Sequence, residues 1–120
     1  MSTSLKVTVL VEKDGIEVRR LVRRLTVIDA LEASYTKVTG GGYVTLPTGE
    51  LAELQVLVVE SVDQQTTLRL DAQSDAGIVL NAGGFLVVVD GDIDAAAATN
   101  AKVDNSSGSD ALLHVIAGGT

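Results

Sequence analysis

The chain has 120 residues, no cysteine, one histidine and a formal net charge of −7. Without cysteine it can form neither a disulfide nor a cysteine-ligated metal site. No apolar run approaches the ~20 residues of a membrane span, and Met1–Lys6 lacks the apolar core of a secretory signal. We therefore expect synthesis in a cytoplasm and no membrane partner. Two tyrosines and one phenylalanine are the chain's aromatic residues, which disfavours binding platforms that stack sugars or single-stranded nucleic acid.

The charge is unevenly distributed along the chain. Residues 1–37 contain seven basic and five acidic side chains, whereas residues 38–120 contain two basic and eleven acidic ones. An acidic body disfavours a nucleic-acid partner, because phosphate neutralisation dominates such binding. A basic segment attached to an acidic body favours association between copies, or docking on another acidic protein.

The amino-terminal segment predicts a β-hairpin. Leu5–Glu12 reads as a strand, and Lys13-Asp14-Gly15 as a hairpin turn. The following residues, 16–25, also show a helical spacing of apolar side chains, but the preceding turn favours a returning strand. In a strand, Arg20 and Arg24 would share one face, and Arg19 and Arg23 the other. These four arginines are the densest charge cluster, and we predict that they bind a protein partner, with a solvated surface as the alternative.

Thr26–Ala33 is predicted as a short helix or a loop, with Ile28 and Leu31 facing inward. Gly40-Gly41-Gly42 is interpreted as a hinge or a close crossing of backbones, with an ordinary loop as the alternative. These features divide the chain into an arm, residues 1–39, and a β-sandwich body, residues 40–120.

The body alternates short apolar runs with turns rich in glycine, asparagine, aspartate and serine. This spacing is typical of an all-β sandwich, and we predict a jelly-roll-like body preceded by the hairpin arm. The predicted body strands are Tyr43–Leu46, Ala52–Glu60, Thr66–Asp71, Ile78–Leu80, Phe85–Asp90, Ala101–Val103 and Ala111–Ala117.

Candidate chemistry in the body is sparse. Asp90, Asp92 and Asp94 alternate as in the first half of a calcium-binding EF-hand loop. However, Ala95 and Ala101 occupy the positions of that loop's glycine and bidentate glutamate. The three aspartates are therefore weak metal candidates, and we expect no metal and no cofactor. A cupin-type enzyme requires two or three histidines at a metal, and His114 stands alone, so we expect no enzymatic activity.

Four stretches of the chain have the amino-acid composition of one group of proteins: Thr39–Pro47, Leu54–Val59, Asn81–Gly91 and Ala117–Thr120. Their glycine-, alanine-, threonine- and asparagine-rich strands resemble small β-sandwich structural proteins of tailed bacteriophage virions, such as head decoration proteins, fibre proteins and tail adaptors. The resemblance implies a non-enzymatic virion component that assembles in many copies, as a trimer or another ring. Its partners would be itself and the major capsid protein or other virion proteins. The alternative is a tail- or fibre-associated module that binds a carbohydrate or receptor.

Overall fold

The computed structural model describes residues 2–40, 42–70, 77–95 and 101–120. These residues form ten strands and no helix, so the all-β prediction is confirmed, and nothing in the described part is a helix of membrane-spanning length and apolarity. The strands are β1 (Thr3–Lys13), β2 (Ile16–Val27), β3 (Asp29–Lys37), β4 (Val44–Thr45), β5 (Glu53–Ser61), β6 (Thr66–Arg69), β7 (Ile78–Leu80), β8 (Phe85–Asp94), β9 (Lys102–Asp104) and β10 (Ala111–Gly119).

Strands β1 and β2 form a long antiparallel hairpin, as predicted. Its register runs from the pair Thr3–Val27 at the base to Lys13–Ile16 at the tip. The two turn residues, Asp14 and Gly15, have φ values of 53° and 77°. Positive φ at both central positions is the conformation that matches the twist of a two-residue hairpin, and Asp-Gly tolerates it. The ambiguous segment 16–25 is therefore a strand.

The other eight strands pair as one long folded hairpin. The first and last of them, β3 and β10, pair with each other, and β4 with β9, β5 with β8 and β6 with β7 follow inside that pair. Pairing of β10 with β5 and of β9 with β6 closes two sheets, β3-β10-β5-β8 and β4-β9-β6-β7. This nested antiparallel order makes the body a sandwich of two four-stranded sheets.

The two sheets share one apolar core. Leu57 of β5 and Leu113 of β10 lie on the first sheet, opposite Leu68 of β6 and Val103 of β9 on the second, and all four are fully buried. Burial of each such side chain is worth roughly 1.5–3 kcal/mol. Among the described residues, the buried apolar core thus consists of valine, leucine, isoleucine and alanine, and Tyr35 packs against it.

The predicted helix at Thr26–Ala33 is wrong. Strand β2 continues to Val27, and β3 begins at Asp29 and pairs with β10 along its whole length. The sequence from Leu31 to Lys37 alternates inward and outward side chains with the period of two that defines a strand. Leu31 packs against the core as expected, whereas Ile28 is exposed.

The junction between arm and body also lies elsewhere than predicted. Because β3 belongs to the body sheet, the junction falls at Ile28, and residues 29–39 are not part of the arm. Gly40 and Gly42 lie in the connection from β3 to β4, and a Cβ added to either would meet no atom within 4 Å, so they are not a close crossing. Gly41, and the end of the predicted strand at Asp71, lie outside the described residues.

Candidate partner-binding surface

The distal half of the hairpin leaves large apolar side chains uncovered. The base of the hairpin is anchored, since Val27 is 2% exposed, but Ile16 beside the turn is 72% exposed. Contiguous exposed apolar surface of this kind marks interaction sites, and the outer edges of β1 and β2 pair with no other described strand. The exposed apolar residues of the hairpin are Leu10, Val11, Ile16, Val18, Leu21 and Val22.

The four predicted partner-binding arginines lie on this hairpin and divide between its two faces. Cross-strand partners share a face in an antiparallel pair. Arg20 and Arg24 pair with Leu10 and Lys6, whereas Arg19 and Arg23 pair with Val11 and Val7. The facial division expected from a strand is therefore confirmed, while their binding of a partner stays a prediction.

One of these arginines has an ion pair within the described part of the chain. Arg20 bonds to Glu17, three residues earlier on the same strand, with Nη2 and Oε1 2.9 Å apart, and both side chains are about half exposed. Such exposed pairs contribute less than about 1 kcal/mol. The arginine cluster therefore keeps most of its capacity to bind carboxylates.

The base of the hairpin rests on the outer face of the sheet β3-β10-β5-β8. They meet at Gly118 of β10, where an added Cβ would clash with Cδ1 of Leu5 and lie 3.5 Å from Cγ2 of Val27. We call the hairpin face that carries Leu5 the inner face and the opposite one the outer face. Val7, Val9 and Leu25 belong to the inner face, and Leu10, Arg20, Val22 and Arg24 belong to the outer face.

Beyond its base the hairpin stands away from the body. A cleft of about 370 Å³ separates it from β8, and its walls are apolar except for Arg23. The lining residues are Val7, Val9, Leu21, Val22, Arg23, Val87 and Val89. The hairpin is thus fixed at one end and is not packed on the body at the other.

The same sheet face has an apolar patch that the hairpin does not cover. Register places Val58 of β5 beside Ile116 of β10, and Phe85 of β8 beside Glu60 of β5. Phe85, the chain's one phenylalanine, is 66% exposed. Two carboxylates border these apolar side chains, Glu60 and, opposite Ile116 on β3, Glu32. We name Glu32, Val58, Glu60, Phe85 and Ile116 the sheet patch.

His114 lies at the border of the sheet patch. It points away from the core side chains Leu113 and Val115, as a strand position predicts. Its Nδ1 lies 3.4 Å from Oε1 of Glu60, and both side chains are about half exposed. This geometry is that of a solvated surface pair, and no second histidine exists to complete a metal site.

The weak metal candidates Asp90, Asp92 and Asp94 all lie on β8 with exposed side chains. Three residues of β8, Asp90 to Asp92, stand opposite the single residue Gln55 of β5, so the strand bulges there, and Asp90 has a φ of 57°. Among the described residues, no three histidine, cysteine, aspartate or glutamate side chains are arranged to hold a metal ion.

Comparisons of the chain with protein-family models, with curated proteins and with solved structures give no match. The interpretation of the surface therefore depends on its own geometry and charge.

Sequence reasoning located the arginines but missed the sheet patch. Its members come from four strands and become neighbours through the register of the sheet alone. A local signal existed in the alternation of Val58 with Glu60 and of Ile116 with His114. That alternation marks an outward face but does not show that the outward side chains meet.

Proposed function

We propose that this chain is a non-enzymatic structural protein of a tailed-phage virion that decorates or cements the head as a homo-oligomer, with a trimer as the expected state. The observation that carries the proposal is the contrast between a body that completes its own core and a hairpin that leaves apolar side chains open on both faces. A hairpin of two strands is at best marginally stable in water. Contact with another subunit would bury its apolar side chains and so stabilise it.

Charge supports self-association as the use of the hairpin. Residues 3–27 contain six basic and three acidic side chains, a net charge of +3, which leaves residues 28–120 with three basic and thirteen acidic ones, a net charge of −10. Each copy therefore offers both a basic element and an acidic surface. Oppositely charged surfaces accelerate association and suppress wrong partners.

The alternative, a carbohydrate- or receptor-binding module of the tail, has less support from the same surface. Sugar recognition relies on several accessible aromatic faces. Tyr35 packs against the core, and the ring of Tyr43 lies 4.2 Å from the guanidinium carbon of Arg69. Phe85 alone offers an exposed ring among the three aromatic residues.

A mass-spectrometric inventory of purified, salt-washed phage particles tests the proposal. We expect peptides of this chain in multiple copies per particle, in a constant ratio to the major capsid protein. Tailless heads and isolated tails from the same preparation separate head decoration from the tail alternative. Absence of the chain from washed particles, when it is abundant in the lysate that produced them, would refute the proposal.

A further inference from the structure

We propose that the sheet patch receives the outer face of the hairpin from a second copy of this chain. The inference rests on the proposed homo-oligomer and names its contact surfaces. The donating surface is an apolar pair, Leu10 and Val22, that shares the outer face with Arg20 and Arg24. The receiving surface is the apolar centre of the sheet patch between the carboxylates of Glu32 and Glu60.

The donating surface is accessible in the isolated chain. Leu10 and Val22 are 45% and 51% exposed. Leu10 lies directly opposite Arg20, and Val22 occupies the position on β2 between Arg20 and Arg24, with its side chain on their face. An apolar centre with arginines beside it matches the composition of interface cores, where arginine is enriched and lysine is depleted.

The receiving surface has the complementary composition. Val58, Ile116 and Phe85 supply apolar area on three adjacent strands, and Glu32 and Glu60 add negative charge at its border. An arginine fork binds a carboxylate through two parallel hydrogen bonds, which fixes orientation as well as adding energy. Apolar centres would therefore meet while the charges at their borders pair.

The chain cannot make this contact with itself. The inner face of the hairpin rests on the sheet through Leu5, so the outer face is directed away from that sheet. Leu10, Arg20 and Arg24 therefore face away from the sheet patch of their own chain, whereas Val22 also borders the cleft beside β8. A second copy is the occupant that the charges favour, because the +3 hairpin and the −10 remainder repel their own kind and attract each other.

The contact joins two different surfaces, so each copy gives one hairpin and receives another. Contacts of this head-to-tail kind generate closed rings when the rotation between copies closes. The trimer expected under the proposed function is one such ring. The anchored base and the open cleft beside β8 leave room for the hairpin to adjust its direction as the ring forms.

Sedimentation velocity of the isolated full-length protein, with charge-reversed variants, tests the contact. Arg20→Glu with Arg24→Glu should weaken association at least tenfold, because each lost pair leaves a carboxylate facing a like charge. Glu32→Arg with Glu60→Arg should do the same from the receiving side. The quadruple variant that carries all four changes should recover association, since every contact regains opposite charges. Circular dichroism should remain β-rich in all of them.

The matched control is Arg19→Glu with Arg23→Glu, which changes the same charge on the same strand but on the inner face. It should weaken association less than the outer-face pair. Equal effects of the two arginine pairs, or a quadruple variant that stays dissociated, would overturn the proposed contact. The measurement requires no phage particle, so a failure of virion incorporation and a failure of this contact are observed separately.

Discussion

The hairpin and the β-sandwich body use the same kinds of side chain in opposite ways. In the body, Leu113 is completely buried between two sheets. In the hairpin, Leu21 is half exposed on a two-stranded ribbon. A sheet that packs on a second sheet removes one of its faces from water, whereas an isolated ribbon leaves most of both faces in contact with it. The difference shows that the body buries an apolar core within one chain, and it supports the proposal that an assembly covers the hairpin.

The largest expected effect is the loss of stability when a leucine is replaced by alanine in the body, compared with the same replacement in the hairpin. Leu57→Ala removes a fully buried side chain from β5 and should lower the free energy of unfolding by about 2–5 kcal/mol. Leu21→Ala on the hairpin should lower it by less than about 1 kcal/mol, because the site is open to water and leaves no cavity. Urea denaturation followed by circular dichroism measures both, and equal losses would show that the hairpin is part of the core.

Replacement of two neighbouring glycines by alanine tests the body and the hairpin separately. A Cβ at Gly119 would lie 1.8 Å from the backbone oxygen of Glu53, whereas at Gly118 it would meet the end of the Leu5 side chain. Gly119→Ala should therefore destabilise the body by about 3 kcal/mol, because backbone must move.

Gly118→Ala should instead displace the base of the hairpin at a smaller cost in stability, because a leucine side chain can rotate. Thermal unfolding measures the stability of each variant, and limited proteolysis measures cleavage within residues 3–27. Faster cleavage in Gly119→Ala than in Gly118→Ala would contradict the conclusion that the base of the hairpin rests on Gly118.

Loss of a polar contact should also cost more stability in the body than in the hairpin, and both costs should be smaller than those above. Asn105 is fully buried, and its Nδ2 donates to the backbone oxygens of Lys37, 2.9 Å away, and Ser109, 2.7 Å away. Asn105→Ala removes both bonds, including the buried one to Lys37, and should cost about 2 kcal/mol. Glu17→Gln breaks the exposed pair with Arg20 on the hairpin and should cost less than about 1 kcal/mol. Chemical denaturation measures the stability of both variants. A larger loss of stability for Glu17→Gln than for Asn105→Ala would contradict this expectation.

Removal of metal should have the smallest effect. Asp90 and Asp92 lie on a bulge of β8, and the described residues supply no group of ligands that could complete a calcium site there, so EDTA should leave the melting temperature unchanged within about one degree. Differential scanning calorimetry with and without added Ca²⁺ measures this. A fall of more than about ten degrees on chelation would indicate a metal site bound with substantial affinity.

The fold was predictable where the signal was local. The Asp14-Gly15 turn predicted the hairpin, and alternating apolar runs between turn residues predicted the body strands. The predicted helix at Thr26–Ala33 is wrong because that interpretation rests on Ile28 and Leu31 and overlooks the strict alternation from Leu31 to Lys37. Nothing local shows that β3 pairs with β10, which is about eighty residues later in the chain.

The candidate surface was predictable only in part for the same reason. The four arginines lie within residues 19–24, so their cluster is visible in the sequence, and their division between two faces follows from strand geometry. The sheet patch combines residues from β3, β5, β8 and β10, and the register that unites them depends on the complete folded sheet. The buried polar contacts of Asn105 with Lys37 and Ser109 depend in the same way on loops that meet in the folded chain.

The mass of the full-length protein in solution tests the central claim most directly, namely that the hairpin is an assembly element on a self-sufficient body. Sedimentation equilibrium at micromolar concentration and moderate ionic strength should give an integral multiple of 12.4 kDa, threefold by expectation. The association should weaken as salt is raised, because opposite charges contribute to it. A 12.4 kDa monomer across the micromolar range, independent of salt, would contradict the account.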